Sequence, residues 1–258
     1  MSPALDYEQI AHLYDSYMRF TDDLPFLLQE CKDTSGSVLE LMCGTGRVSI
    51  PLLEAGVNLT CVDASSAMLS ILRQKLAARG LSASVVQADV SCLKLEPTFE
   101  LVLLPSQSFH ELRTEAEQKA VLSEIARLLK PNGRFVCTLH NPKVRFQSVG
   151  RGPSRYGPFP RTDGTGTVAL SVDLDYELET RTGTAWQIVY ELDSAGQEVA
   201  EHRLQIRFSL IEVDVFQKLA LAAGFVIEEL FGNYDRSPFV PETSPYIIVR
   251  VRKVAKER

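Results

Sequence analysis

Tryptophan is nearly missing from this chain, with one in 258 residues, and histidine occurs only four times. The five cysteines, at positions 31, 43, 61, 92 and 137, are scattered, odd in number and never in a Cys-x-x-Cys pair. That argues against a disulfide framework or a zinc site, and it predicts a reducing, cytoplasmic home. No apolar run approaches the roughly 18 residues that span a bilayer; the longest, such as 101–105, have the length of a strand. The first twenty residues carry Asp6, Glu8 and Asp15 and lack the basic-then-apolar order of a signal peptide, so none is expected. Positive charge is also short. Lysine and arginine number 27 against 33 aspartates and glutamates, a net charge of −6. Proteins that grip phosphate backbones are usually basic, so nucleic acid is not an expected partner. Repeats and low-complexity tracts are missing too. With 45% hydrophobic residues there is enough apolar chain for a core, which rules out wholesale disorder.

What is present falls into three zones. Residues 1–35 read as two short helices. The first keeps Leu5, Ile10, Leu13, Tyr14 and Tyr17 at roughly helical spacing. The second starts near Asp22 or Asp23, either of which could cap it, and carries Phe26, Leu27 and Leu28. Residues 36–140 alternate strand and helix, with strands expected at 37–42, 57–62, 83–87, 99–104 and 134–139 and helices at 46–55, 65–79 and 114–129. Thr114 with Glu117 forms a capping box, and Lys130-Pro131-Asn132-Gly133 stops the third helix. Such alternation means βαβ units and a parallel, doubly wound sheet. Residues 141–258 break the rhythm. Positions 141–165 hold four prolines, four glycines and four arginines and read as a long loop. Three period-two runs follow, at 167–180, 184–193 and 197–210, as an antiparallel meander. A helix at 212–223 and strands at 225–231 and 246–252 close the chain.

The first strand-to-helix turn is the most informative stretch. Val38-Leu39-Glu40-Leu41-Met42-Cys43-Gly44-Thr45-Gly46 runs an apolar strand into Gly-x-Gly and directly into a helix. Glycines here let the backbone turn tightly and approach a ligand, and the helix offers its free N–H groups. Asp63, at the end of the second strand, can take both hydroxyls of a ribose. Two ligand classes share this geometry. A dinucleotide site wants a third small residue, here Ser49. An S-adenosylmethionine site wants an acid near the end of the first strand, here Glu40.

The stretch resembles the first motif of the class I S-adenosylmethionine-dependent methyltransferases, with Met42 where that motif usually has its first glycine. The resemblance continues in order through Asp63-Ala64-Ser65-Ser66-Ala67-Met68-Leu69, Ala88-Asp89-Val90, the 99–112 segment with Ser108-Phe109-His110, and Leu128-Leu129-Lys130-Pro131-Asn132-Gly133-Arg134-Phe135. It implies an α/β fold, a seven-stranded mostly parallel sheet of order 3-2-1-4-5-7-6 whose seventh strand is antiparallel. It also implies one domain over 1–258, divided into a helical cap (1–35), a cofactor core (36–140), an inserted loop and antiparallel lid (141–211) and a closing unit (212–258). Glu40 would then order the methionine end of the cofactor, and Gly44 and Gly46 would let it lie against the turn. Asp63 with Ala64 would hold the ribose, Met68 would pack on adenine, and Asp89 with Val90 would meet the adenine edge. Pro105 would be a further cofactor contact. Leu13-Tyr14-Asp15-Ser16-Tyr17-Met18-Arg19 resembles the N-terminal cover of small-molecule methyltransferases, so Tyr14 or Arg19 could reach the methionine carboxylate.

Methyl transfer to a nitrogen or oxygen is an in-line displacement, and the protein mainly positions the partners and excludes water. Where a base is needed, His110 is the first candidate and His140 the second. No metal-ligand cluster stands out, and none is required. The strand 172–179 alternates Val172, Leu174, Tyr176 and Leu178 with Asp173, Asp175, Glu177 and Glu179. Those acids are expected to face solvent and pair with Arg203 and Arg207 of a neighbouring strand, or to form a floor for a cationic amine. The arginines at 145, 151, 155 and 161 would suit an anion instead. The expected partner is a small molecule, with the protein a monomer or homodimer and no membrane involved. The rival readings are an NAD(P)-dependent oxidoreductase and a non-catalytic adenosyl-binding scaffold.

Overall fold

Strands covered on both faces must be apolar throughout, and the central ones are. All four residues of β1 (Val38–Leu41) are buried, as are five of the six in β4 (Phe99–Leu104). In the computed structural model, which describes residues 7–96, 99–177 and 179–254, they form the middle of a seven-stranded sheet. The other members are β2 (Leu59–Asp63), β3 (Ser84–Gln87), β5 (Leu129–His140), β10 (Phe225–Phe231) and β11 (Tyr246–Lys253). The order is β10-β11-β5-β4-β1-β2-β3, with β11 antiparallel to both its neighbours. This is the expected 3-2-1-4-5-7-6 arrangement. Leu5 lies outside the described residues, as does Leu178.

Period-two alternation sends each strand's side chains to two separate cores. Val102 and Leu104 of β4 pack with α5 (Glu115–Leu128) and α7 (Val213–Ala222), while Leu101 and Leu103 pack with α2 (Leu24–Lys32), α3 (Ser49–Glu54) and α4 (Ser66–Arg79). Helix ends follow local chemistry. The Ser65 hydroxyl accepts from Met68 N to cap α4, and Thr114 and Glu117 form the expected capping box on α5. Asp23 stands at the start of α2 but makes no cap hydrogen bond; its carboxylate is held by Arg47.

The inserted segment holds one strand more than expected. After the short helix α6 (Pro142–Arg145), β6 (Ser154–Pro160) lies inside the stretch read as loop and pairs with β7 (Thr167–Glu177). Gly157, Pro158 and Pro160 hide it in the sequence; an edge strand tolerates proline because one of its sides needs no N–H donors. β8 (Thr182–Leu192) and β9 (Glu198–Ser209) complete a four-stranded antiparallel sheet. Its inner face, with Val168, Val189 and Leu204, closes over Ile10 and over Leu13 of α1 (Ala11–Tyr17). Asp173, Asp175 and Glu177 face solvent. Arg203 pairs with Glu201 of its own strand instead of crossing to those acids, because β8 stands between β7 and β9.

Gly46 has a structural task. Its φ is +86°, and a Cβ there would collide with Leu72 of α4. Gly46→Ala should lower unfolding free energy by about 2–3 kcal/mol, from left-handed strain and overpacking together. Chemical denaturation measures this, and a loss below about 0.5 kcal/mol, the scale of a neutral surface change, contradicts it.

Candidate active site

Beyond the carboxyl ends of β1 to β4 lies a cavity of about 540 Å³. This is where open α/β sheets bind ligands, and β1 and β4 flank the point at which the chain reverses its direction across the sheet.

The turn after β1 makes the floor. Met42 and Gly44 both sit at φ 55°, and Met42 carries a side chain in that region at a cost of about 1–2 kcal/mol. Its side chain packs on the core that includes Leu39 and Leu41, which offsets part of the strain. Gly44 N donates to Asp63 Oδ2 at 2.8 Å, and a Cβ on Gly44 would meet no protein atom within 4 Å. A ligand can therefore approach the backbone at this point. Asp63 Oδ1 accepts from Ser65 N at 2.9 Å. Each carboxylate oxygen so keeps capacity for a second donor. Burial lifts the Asp63 carboxyl above its ordinary range, against the N–H bonds of Ser65, Gly44 and Ala64.

Glu40 is buried on the α3 side of β1, where Ser49 Oγ donates to its Oε2 at 2.6 Å. Burial pushes this carboxyl well above the usual range. Ser49 is thus turned into the core and Glu40 forms part of the cavity wall. That pair does not suit a dinucleotide, whose pyrophosphate would meet a carboxyl at the helix entrance. On the far side Asp89 Oδ1 accepts from Ser91 N at 2.8 Å and from Ser91 Oγ at 2.6 Å, while buried Met68 and Val90 supply apolar wall. Two hydrogen-bonding carboxylates, an apolar pair and a gap at Gly44 fit the ribose, the purine and the sulfur-bearing chain of S-adenosylmethionine, a cationic ligand without phosphate.

The N-terminal segment roofs the cavity. Tyr7 and Tyr14 line it with their rings in an edge contact, centroids 5.6 Å apart. Thr45 Oγ1 donates to Asp15 Oδ1 at 2.6 Å, and Lys75 Nζ meets Asp15 Oδ2 at 2.5 Å, so α1 is tied to the glycine turn. Arg47 holds Asp23 with two nitrogens, at 2.7 and 2.6 Å, and also donates to Phe20 O and Ser106 Oγ.

Of the sequence-derived candidates, Tyr14, Glu40, Gly44, Asp63, Ala64, Met68, Asp89 and Val90 come together on this wall. Four do not. Gly46 makes room for Leu72. Arg19 donates to Ser16 O and Pro160 O, joining α1 to β6. Pro105 is buried behind Ser106. His110 is the main correction. Its Nδ1 bonds Ser209 O at 2.7 Å and its Nε2 accepts from His140 N at 2.8 Å. Both ring nitrogens are thereby occupied by backbone, and burial pulls the imidazole down to about 4. His110 fastens β9 to β5; it has no lone pair left to serve as a base. His140 stacks on it with ring centroids 5.9 Å apart, and burial pushes its imidazole well down too.

The neighbouring residue is the acid that sequence reasoning missed. Glu111 closes the 3₁₀ turn Ser108–Glu111 after β4 and faces the cavity. Burial, with the Asp63 charge across the cavity second, pushes its carboxyl up to about 8. Tyr7 and Tyr14 both lie within electrostatic reach of it. A carboxyl titrating near neutrality in a ligand cavity is placed to trade a proton.

Residues 38–133 match a family described as a methyltransferase domain. The chain is 29% identical over 218 residues to the cypemycin N-terminal methyltransferase of a Streptomyces species, covering 84% of this chain and 83% of that one. It is 24% identical to the dTDP-3-amino-3,6-dideoxy-alpha-D-glucopyranose N,N-dimethyltransferase of Streptomyces fradiae, over 90% of this chain and 89% of the other. Among solved structures, an S-adenosylmethionine-dependent methyltransferase from Clostridium acetobutylicum superposes with a TM-score of 0.81 at 19% identity, covering 96% and 99% of the two chains.

Proposed function

We propose that this chain, whose residues 38–133 match a methyltransferase domain, is a class I S-adenosylmethionine-dependent methyltransferase that methylates the nitrogen of a small-molecule amine, with Glu111 as the proton acceptor. Its cofactor is S-adenosylmethionine, which supplies a methyl group already activated by a sulfonium. Asp63 takes the ribose hydroxyls, Asp89 and Val90 the adenine edge, Met68 the purine face, and Glu40 with Tyr14 the methionine end. The observation that carries the choice of nitrogen is Glu111. An amine enters as ammonium and must lose a proton before its lone pair can attack. An acid whose pKa stands near 8 is well matched to accept that proton, and the ammonium–carboxylate attraction would hold the amine in place. A hydroxyl would need a much stronger base, and His110 does not provide one. The Streptomyces fradiae relative carries N,N-dimethylation in its name, which supports the same reading. The inserted sheet, 141–211, closes over the helix that carries Tyr14 and is the part we assign to acceptor selection.

The test is turnover of labelled methyl onto matched acceptors, each an amine paired with the alcohol of the same skeleton. Amines alone should be labelled. Label on the alcohols with none on the amines overturns the proposal. Independently, Asp63→Ala should weaken S-adenosylhomocysteine binding by about 1–3 kcal/mol in a folded protein, since two ribose hydroxyls lose a charged acceptor. Calorimetry beside a thermal melt measures it, and unchanged affinity would make Asp63 a mere loop anchor for Gly44 and Ser65.

A further inference from the structure

Away from the cavity, on the inner face of the inserted sheet, three side chains from distant parts of the chain converge. His12 comes from α1, Glu191 from β8 and His202 from β9. One ligand atom from each lies within 4.8 Å of the other two. His202 Nε2 stands 2.7 Å from Glu191 Oε1, and His12 Nε2 stands 3.8 Å from the same oxygen. Among the described residues this is the set of histidine, cysteine and acidic side chains that could enclose an ion.

We propose that His12, Glu191 and His202 bind a divalent transition metal of the zinc class, which clasps α1 to the inserted sheet. Tetrahedral zinc with bonds of about 2.0–2.1 Å needs its donors about 3.4 Å apart. The two spacings to Glu191 bracket that value, so the acid and His202 must part slightly and His12 must draw in toward both. His12 can do so, because its side chain is 53% exposed and its ring already meets the His202 ring edge-on, centroids 6.1 Å apart. Register explains why the other two already meet. Val189 of β8 stands opposite His202, and Glu191 is two residues on, so all three share one face.

The surroundings suit a cation. Two imidazoles and one carboxylate favour zinc-type ions over magnesium or calcium, which prefer oxygen alone. Glu191 would ligate through Oε1 only, since Arg161 Nη1 holds Oε2. A hydrogen-bonded outer partner of this kind is what fixes a ligating carboxylate. Arg161 is itself paired with Asp163 at 2.6 Å. Glu191, Arg161 and Asp163 therefore sum to one negative charge facing the metal. A fourth position stays open to solvent on the His12 side.

The clasp has a consequence for the cavity. His12 lies two residues before Tyr14, so fastening it to β8 and β9 fixes the helix whose tyrosine roofs the cofactor site. The site is one of attachment: metal binding should stiffen the roof, and the metal takes no part in methyl transfer.

The experiment uses the full chain, stripped with a chelator and titrated with Zn²⁺ by calorimetry, alongside thermal melts and Co²⁺ absorption. Wild type should bind one zinc per chain and melt higher with zinc present. His12→Ala and His202→Ala should each weaken zinc binding by about tenfold or more, and the double variant should lose the melting shift. Co²⁺ should give a spectrum of nitrogen and oxygen ligation without the intense thiolate band that exposed Cys92 would produce. His12 is exposed and makes no core contact by its ring, so its variant should fold and keeps the test decisive. No saturable zinc binding by wild type, equal binding by His12→Ala, or a thiolate band in the cobalt form each overturns the proposal.

Discussion

Glu111→Gln should cut kcat/KM for the amine acceptor by about a hundredfold or more, the usual scale of a lost acid–base group, while S-adenosylhomocysteine still binds as in wild type. Glutamine keeps the size and polarity of the protonated acid but can accept no proton. The pH profile separates this from mere damage. In wild type the rate should rise with pH as the Glu111 carboxyl, pushed up to about 8 by burial, ionises. The variant should lack that limb. Stability moves the opposite way, and the sign follows from proton counts. The unfolded acid titrates near 4.5 and the folded one near 8. Between those values the folded chain holds a proton that the unfolded chain has released, so wild-type stability falls as pH rises through that window. Glu111→Gln escapes the fall. It should match wild type below pH 4.5 and melt higher above pH 8, by about 2–4 °C for each kcal/mol of ionisation cost removed. Equal melting at pH 9 together with unchanged kcat/KM would mean that Glu111 is an ordinary wall residue.

Asp23→Ala should be the most damaging single change for the fold, at about 3–5 kcal/mol, because it strands a guanidinium whose partner was a fully buried carboxylate. Arg47 is built into the turn below the cavity. It faces the Phe20 ring at 5.8 Å and reaches Ser106 beyond β4, so losing Asp23 loosens the start of α2, the glycine turn and the end of β4 together. The expected fall in Tm is about 6–20 °C, at roughly 2–4 °C per kcal/mol. Replacing both partners, Asp23→Leu with Arg47→Met, should recover much of the loss, since neither charge is then buried alone. A single variant within about 1 kcal/mol of wild type, the scale of an exposed ion pair, would show that water reaches Arg47 freely.

The cavity wall formed by Glu40, Gly44, Asp63 and Asp89 was legible because its determinants are local. Strand, Gly-x-Gly and helix are contiguous, and the acids at the ends of β1, β2 and β3 inherit their places from the strands. The acceptor half was not. His110 and Glu111 are adjacent and both follow β4, and a one-residue difference in a 3₁₀ turn decides which faces the cavity. What settles it is tertiary: Ser209 O and His140 N, 99 and 30 residues away, capture both nitrogens of His110 and leave Glu111 to the ligand side. Distance in sequence also hid the cluster of His12, Glu191 and His202, whose meeting depends on strand register and on α1 docking beneath the sheet. β6 was obscured for a local reason, since Gly157 and two prolines are strand breakers everywhere except at an edge. The sheet order, by contrast, came with the family resemblance; the alternation of β and α by itself dictated only parallel βαβ units.

A crystal structure with S-adenosylhomocysteine and an amine acceptor bound would test the central claim most directly. The account predicts the ribose diol on Asp63 and the acceptor nitrogen within hydrogen-bond distance of the Glu111 carboxyl. An acceptor nitrogen held elsewhere, with Glu111 turned from it or covered by the adenosine, would contradict it.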